Sequence, residues 1–156
     1  MQALDKIKDA FVNFTPDTSA YSIGDSIGAG PLVFDVSGFV TGGGILNCLR
    51  VTDDDNEGAA GALWLFKPTL AGAAPTSVSD NAAFAPTITD LNNVITILTL
   101  PTFVTVNSLK IAILEDINTT FTTVNGRIYG YYVPSGTPTY ASSKKINIEL
   151  GILGQQ

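Results

Sequence analysis

Histidine is missing from this chain, and cysteine occurs once. Without an imidazole the chain lacks the commonest general base near neutral pH and the commonest metal ligand. The single thiol, Cys48, cannot close an intramolecular disulfide. In its apolar run it reads as a small buried hydrophobe rather than a reactive group. Charge is also scarce, at 14% of residues with a net charge of −6. The basic residues are dispersed, and Lys144-Lys145 is the one adjacent pair. Nucleic-acid binders need clustered cations to displace counterions from phosphates, so neither nucleic acid nor an anionic membrane is an expected partner. No apolar run approaches the ~18 residues of a membrane span. No basic-then-apolar leader follows Met1, so the chain reads as made in a reducing cytoplasm.

What is present is apolar and β-forming. The 156 residues, 45% of them hydrophobic, suit one domain with a real core. Thr, Ile, Val, Phe and Tyr are plentiful, and Gly, Pro and Asn punctuate short runs. That composition favours an all-β chain. Leu32, Phe34 and Val36 alternate with polar or small neighbours. Ile45, Asn47, Leu49 and Val51 occupy one face of the next strand. Leu109, Ile111 and Ile113 alternate with Lys110 and Ala112, and Ile146, Ile148, Leu150 and Ile152 give the cleanest period of two. About eight strands result, with no helix-length segments between them, which predicts a β-sandwich and most simply a jelly roll over residues 15–156.

Two stretches carry organisational weight. Ile45 to Phe66 reads as a core hairpin, two apolar strands around the acidic loop Asp53 to Glu57. Residues 69–93, rich in Ala, Pro and Ser, read as a long crossover between sheets, with a helical turn capped by Asp80. Ahead of the domain, Leu4, Ile7, Lys8 and Phe11 recur at spacings of three and four. Residues 1–14 are therefore expected to form a short amphipathic helix or arm, docked on the body or reaching a neighbouring subunit.

Candidate sites are weak as chemistry. Ser26 stands in a Gly-Asp-Ser block that one esterase class uses, but that chemistry needs a histidine to take the serine proton. Asp53, Asp55, Glu57 and Gly58 match the opening of a calcium loop, yet Trp64 occupies the twelfth position, where a bidentate carboxylate belongs. Adjacent Glu115 and Asp116 would point to opposite faces of a strand. Gly42-Gly43-Gly44 has no following Lys for a phosphate loop. No catalytic, cofactor-binding or metal-ligating residue is therefore expected, nor enzymatic activity. Tyr129, Tyr131 and Tyr132 read as core or subunit-interface aromatics that could also stack on a sugar.

Tyr21, Gly24-Asp25-Ser26-Ile27-Gly28, Leu32 and Phe34 occur in that order. The glycines before Ile45, Leu63-Trp64-Leu65-Phe66, Asp80-Asn81-Ala82-Ala83-Phe84 and Asp90 follow them. This succession, over roughly Tyr21 to Ile152, resembles the tailed-phage capsid decoration (cement) proteins. The acidic loop and the N-terminal arm depart from that pattern. The resemblance implies a jelly-roll body, a homotrimer on the capsid exterior and the major capsid protein as partner. It implies stabilisation by bridging capsomers, with no catalytic residues. Leu4, Ile7, Phe11, Phe14, Tyr129, Tyr131 and Tyr132 are the expected interface residues. A glycan- or receptor-binding head of a virion fibre is the competing expectation, motivated by the tyrosine strand and the Thr- and Asn-rich loops.

Overall fold

A computed structural model describes residues 7–38, 40 and 42–154. Ten strands and one short helix occur in the described residues. They are β1 (Ile7–Phe14), β2 (Ile27–Asp35), β3 (Gly43–Asp53), β4 (Gly61–Phe66), α1 (Ile88–Leu91), β5 (Val94–Thr99), β6 (Val104–Val106), β7 (Leu109–Leu114), β8 (Thr119–Thr122), β9 (Arg127–Pro134) and β10 (Ile146–Gly154). One sheet has six strands in the order β1-β10-β3-β7-β6, with β8 also beside β3. The other has four, β2-β9-β4-β5.

The pairing is nested. β1 pairs with β10, β2 with β9, β3 with β7 and β8, and β4 with β5, all antiparallel. A long hairpin folded over into two sheets in this way is a jelly roll. β7 lies along Leu49–Asp53 and β8 along Gly43–Leu46, so together they fill one strand position beside β3. Eight strand positions are thus filled, seven by runs that the alternation marked and the eighth by β1, where an arm was expected; β6 is an added edge strand.

Alternation puts the core between the sheets. Ile146, Ile148, Leu150 and Ile152 of β10 are all fully buried. They share one cluster with Phe34, Leu63, Leu65 and Tyr132 from the other sheet. Each such side chain contributes about 1.5–3 kcal/mol of burial free energy. β9 lies inside its sheet and is buried on both faces.

Four expectations are corrected. Residues 7–14 form neither helix nor arm: they are β1, hydrogen-bonded along its whole length to β10, with Ala10, Val12 and Phe14 turned inward. Apolar spacings of three and four arose because Ile7 and Phe11 lie on the outer face. Ile45 to Phe66 is not a hairpin, because β3 and β4 belong to different sheets and the acidic loop is the corner between them. Residues 67–93 do not cross between sheets: they link neighbours β4 and β5, and no helix starts at Asp80, the segment's helix being α1 with Thr87 as its cap. Finally, a bulge opposite Gly151/Ile152 shifts β3 by one residue at Asn47. Leu46 therefore faces inward with Leu49 and Val51, and Ile45 and Asn47 leave that face.

Candidate interaction surface

The outer face of the six-stranded sheet lies open. Its cross-strand rows follow from the register. Phe11, Glu149, Arg50 and Ile113 form one row; Asn13, Asn147, Thr52, Ile111 and Val104 form the next. At the centre Arg50 and Glu149 make an exposed ion pair of 3.3 Å, worth at most about 1 kcal/mol. Large apolar residues stand at both margins. Phe11 is 68% and Ile7 48% exposed on β1, while Val104 is 63% and Ile113 48% exposed at the opposite side. On β7, Ala112 and Leu114 face the core, and Leu109, Ile111 and Ile113 point outward.

The middle of the outer face of the four-stranded sheet is covered, while Val33 on β2 and Ile97 on β5 stay exposed at its margins. Phe84, from the 67–93 segment, lies against Trp64, Phe66 and Tyr131 with ring centroids 5.3, 6.4 and 4.8 Å away. The Asp80 carboxylate accepts from Tyr21 Oη (2.6 Å), the Gly28 amide (2.8 Å) and the Asp17 amide (2.8 Å). Gly30 and Val78 exchange backbone bonds of 2.8 and 2.9 Å, which occupies the free edge of β2. Gly30 is needed there because a Cβ would stand 2.5 Å from the Tyr131 ring. Asp90 closes the segment by accepting from Thr76 N (3.1 Å), Thr87 N (2.9 Å) and Thr87 Oγ1 (2.7 Å). Burial alone would raise its carboxyl, but the bonds from Thr87 and Thr76 together outweigh that and hold it below the usual range.

The structure places the expected interface residues in three groups. Ile7 and Phe11 are exposed on the open face. Phe14 turns inward against the core, where a Cβ at Gly28 would stand 2.6 Å from its ring. Tyr129, Tyr131 and Tyr132 are buried within the chain's own body, so their side chains offer no surface to a neighbour or a sugar. Tyr132 Oη donates to Ala59 O, Tyr131 Oη to Thr76 O at 2.5 Å, and Tyr129 Oη accepts from Asn125 Nδ2 at 3.0 Å. Leu4 lies outside the described residues.

The acidic corner is a hydrogen-bonded turn. Asp53 is buried and accepts from Asp55 N and Gly58 N, each at 2.9 Å. Burial pushes its carboxyl above the usual range, partly offset by those two bonds, and the charges of Asp55 and Glu57 push the same way as burial. Asp55 accepts from the Ala141 amide and Asp54 from the Lys145 amide, while Lys144 Nζ donates to Asp54 O at 2.9 Å. The loop is thereby fastened to residues 141–145 rather than freely solvated. Among the described residues, no three carboxylates or thiols are grouped so as to hold a metal ion. Close by, the buried Tyr140 hydroxyl has no hydrogen-bond partner among the described residues. Its ring meets that of Tyr21 edge-on at 5.9 Å.

The remaining candidates take structural positions. Ser26 is buried, with its hydroxyl donating to Gly28 O at 3.0 Å. Glu115 and Asp116 are exposed in the break between β7 and β8. Gly43 and Gly44 pair with Thr122 and Phe121 of β8. Cys48 is half-buried rather than buried, on the outer face against Gly151, and partial burial raises its thiol. The sequence carried no periodic sign of β6, because three residues are too few for a period.

No protein-family model and no curated protein matches the chain. Among solved structures, it has a slight likeness to a chain from "Structure of infectious bursal disease virus Gt strain". Identity is 11% and the TM-score is 0.23; the alignment covers 98% of this chain and 43% of that one, so this chain spans less than half the length of that neighbour. A likeness so slight carries no argument about fold or function.

Proposed function

We propose that this chain is a structural protein of a virion, a capsid decoration protein that binds the assembled head of a tailed phage and stabilises it. The observation that carries the reading is the open outer face of the six-stranded sheet. Its large apolar residues stand at the margins around an ion pair, while the middle of the opposite face is covered by the chain's own 67–93 segment. An exposed apolar face with polar groups in it is what a docking surface offers. Binding the shell but not its dissociated subunits stabilises the shell by mass action. Acting in more than one copy, as the family resemblance implies, adds avidity across neighbouring capsomers. The glycan-binding reading loses one of its two motives, since the tyrosine strand is buried.

Deleting the gene tests this. Heads lacking the chain are expected to lose their DNA at a lower temperature than wild-type heads, and adding purified chain back is expected to restore them. Heads of unchanged composition and heat resistance after deletion would refute the proposal.

A further inference from the structure

β6 is the one strand in the described residues with no buried position: Val104, Thr105 and Val106 are all exposed. It pairs with β7 on one side only. Other sheet edges are managed. β1 carries Lys8 and Asp9, β2 is capped by Val78, and β5 lies against β8 across the seam of the sandwich. β6 has no charge, proline or bulge, and beside it is a hollow of about 380 Å³ lined by Pro101, Thr102, Val104, Val106, Ile111 and Ile113.

Register settles which backbone groups are open. Val106 and Leu109 flank a two-residue turn, Asn107-Ser108, with φ of 47° and 71°. Such a tight hairpin makes the flanking pair the hydrogen-bonded one. Antiparallel pairs alternate, so Val104↔Ile111 is hydrogen-bonded again and Thr105↔Lys110 is not. The N–H and C=O of Thr105 therefore point away from β7, toward the free edge.

We infer that the occupant of this edge is the same edge of a second copy, in a two-fold antiparallel pairing centred on Thr105. The strand Val104-Thr105-Val106 reads the same in both directions. A two-fold axis there sets Thr105 opposite Thr105 of the second copy as a hydrogen-bonded pair, with each Val104 opposite a Val106. Charge favours this site in a chain of net charge −6, because the outward side chains of β6 and β7 are all uncharged and two copies meet there without repulsion. A partner that adds a strand gains main-chain bonds, and the aliphatic hollow beside the edge accepts its side chains. Three residues of edge and the side chains beside them fall short of the about 800 Å² per partner of a standard interface. The pair is accordingly concentration-dependent rather than obligate. It stands independently of the shell-binding reading, since it needs no shell.

Sedimentation equilibrium of the full chain, from micromolar to millimolar concentration, tests it. The wild type is expected to rise from a one-copy toward a two-copy mass. Thr105→Pro removes an N–H that β7 does not use, so the fold persists by circular dichroism while pairing weakens at least about tenfold. Val106→Lys places like charges across the axis and serves if the proline variant does not fold; Phe11→Lys on the far edge leaves pairing unchanged. A wild type that stays at one copy throughout overturns the inference. So does assembly, as dimer or as trimer, that Thr105→Pro and Val106→Lys leave intact.

Discussion

The two sheets present opposite outer faces. On the four-stranded sheet the outward aromatics Phe66, Tyr129 and Tyr131 are as buried as the core, because the connection between β4 and β5 folds back over them. On the six-stranded sheet the outward Phe11, Ile113 and Val104 stand in solvent, and no connection among the described residues crosses them. Strand sequences of similar hydrophobicity therefore end in opposite environments, and the long connection makes the difference. The 27 residues of the connection (67–93) cover the middle of one outer face, and no described connection covers the other.

The sharpest break of this comparison is to truncate one aromatic on each face. Phe84→Ala empties the aromatic cluster under the connection and is expected to cost about 3 kcal/mol. For a chain of this length that lowers Tm by roughly 6–12 °C. Phe11→Ala removes an exposed ring and is expected to stay within about 0.5 kcal/mol of wild type. Calorimetry on the pair decides it; equal losses would mean the two faces are equally packed.

Acid and base separate the covered connection from the acidic corner. Asp90 has a lowered carboxyl pKa, so its contribution is present above the unfolded value of about 3.8 and is lost as pH falls through the folded value. Asp53 has a raised one, so its contribution is full below about 3.8 and declines as pH rises through the folded value. Urea titrations from pH 3 to 7 should show Asp90→Asn flattening the acid-side loss and Asp53→Asn flattening the decline above pH ~4. Unchanged pH profiles in both variants would contradict these assignments.

A small effect of the opposite sign is expected at Tyr140. Its buried hydroxyl has no hydrogen-bond partner among the described residues, so Tyr140→Phe should stabilise by roughly 1 kcal/mol. A loss of stability instead would show that a water satisfies that hydroxyl.

Much of the fold was legible where periodicity was strong. The inward row of β10 is the alternation its sequence displays, and eight strand positions with no intervening long helix led to a sandwich. Pairing was not legible, since the short stretch between β3 and β4 reads alike as a hairpin loop or a corner between sheets. The bulge at Asn47 moved Leu46 inward without a local signal. In β7 the alternation did not say which set faces the core: Leu109, Ile111 and Ile113 point outward, and Ala112 and Leu114 inward. β1 misled for the same reason, its exposed Ile7 and Phe11 imitating a helical stripe. The tyrosines of β9 had to be buried once the strand lay mid-sheet beneath the connection, a fact set by residues some fifty positions away.

The central claim, that the molecule meets the shell through its open six-stranded face, is tested by co-sedimentation with heads purified from the gene deletion. Ile113→Lys charges the open face, and Leu70→Lys charges a 94% exposed position on the covering segment. The prediction is that Ile113→Lys loses binding by at least about tenfold while Leu70→Lys binds as wild type. Retained binding by Ile113→Lys, with loss in Leu70→Lys, would contradict it.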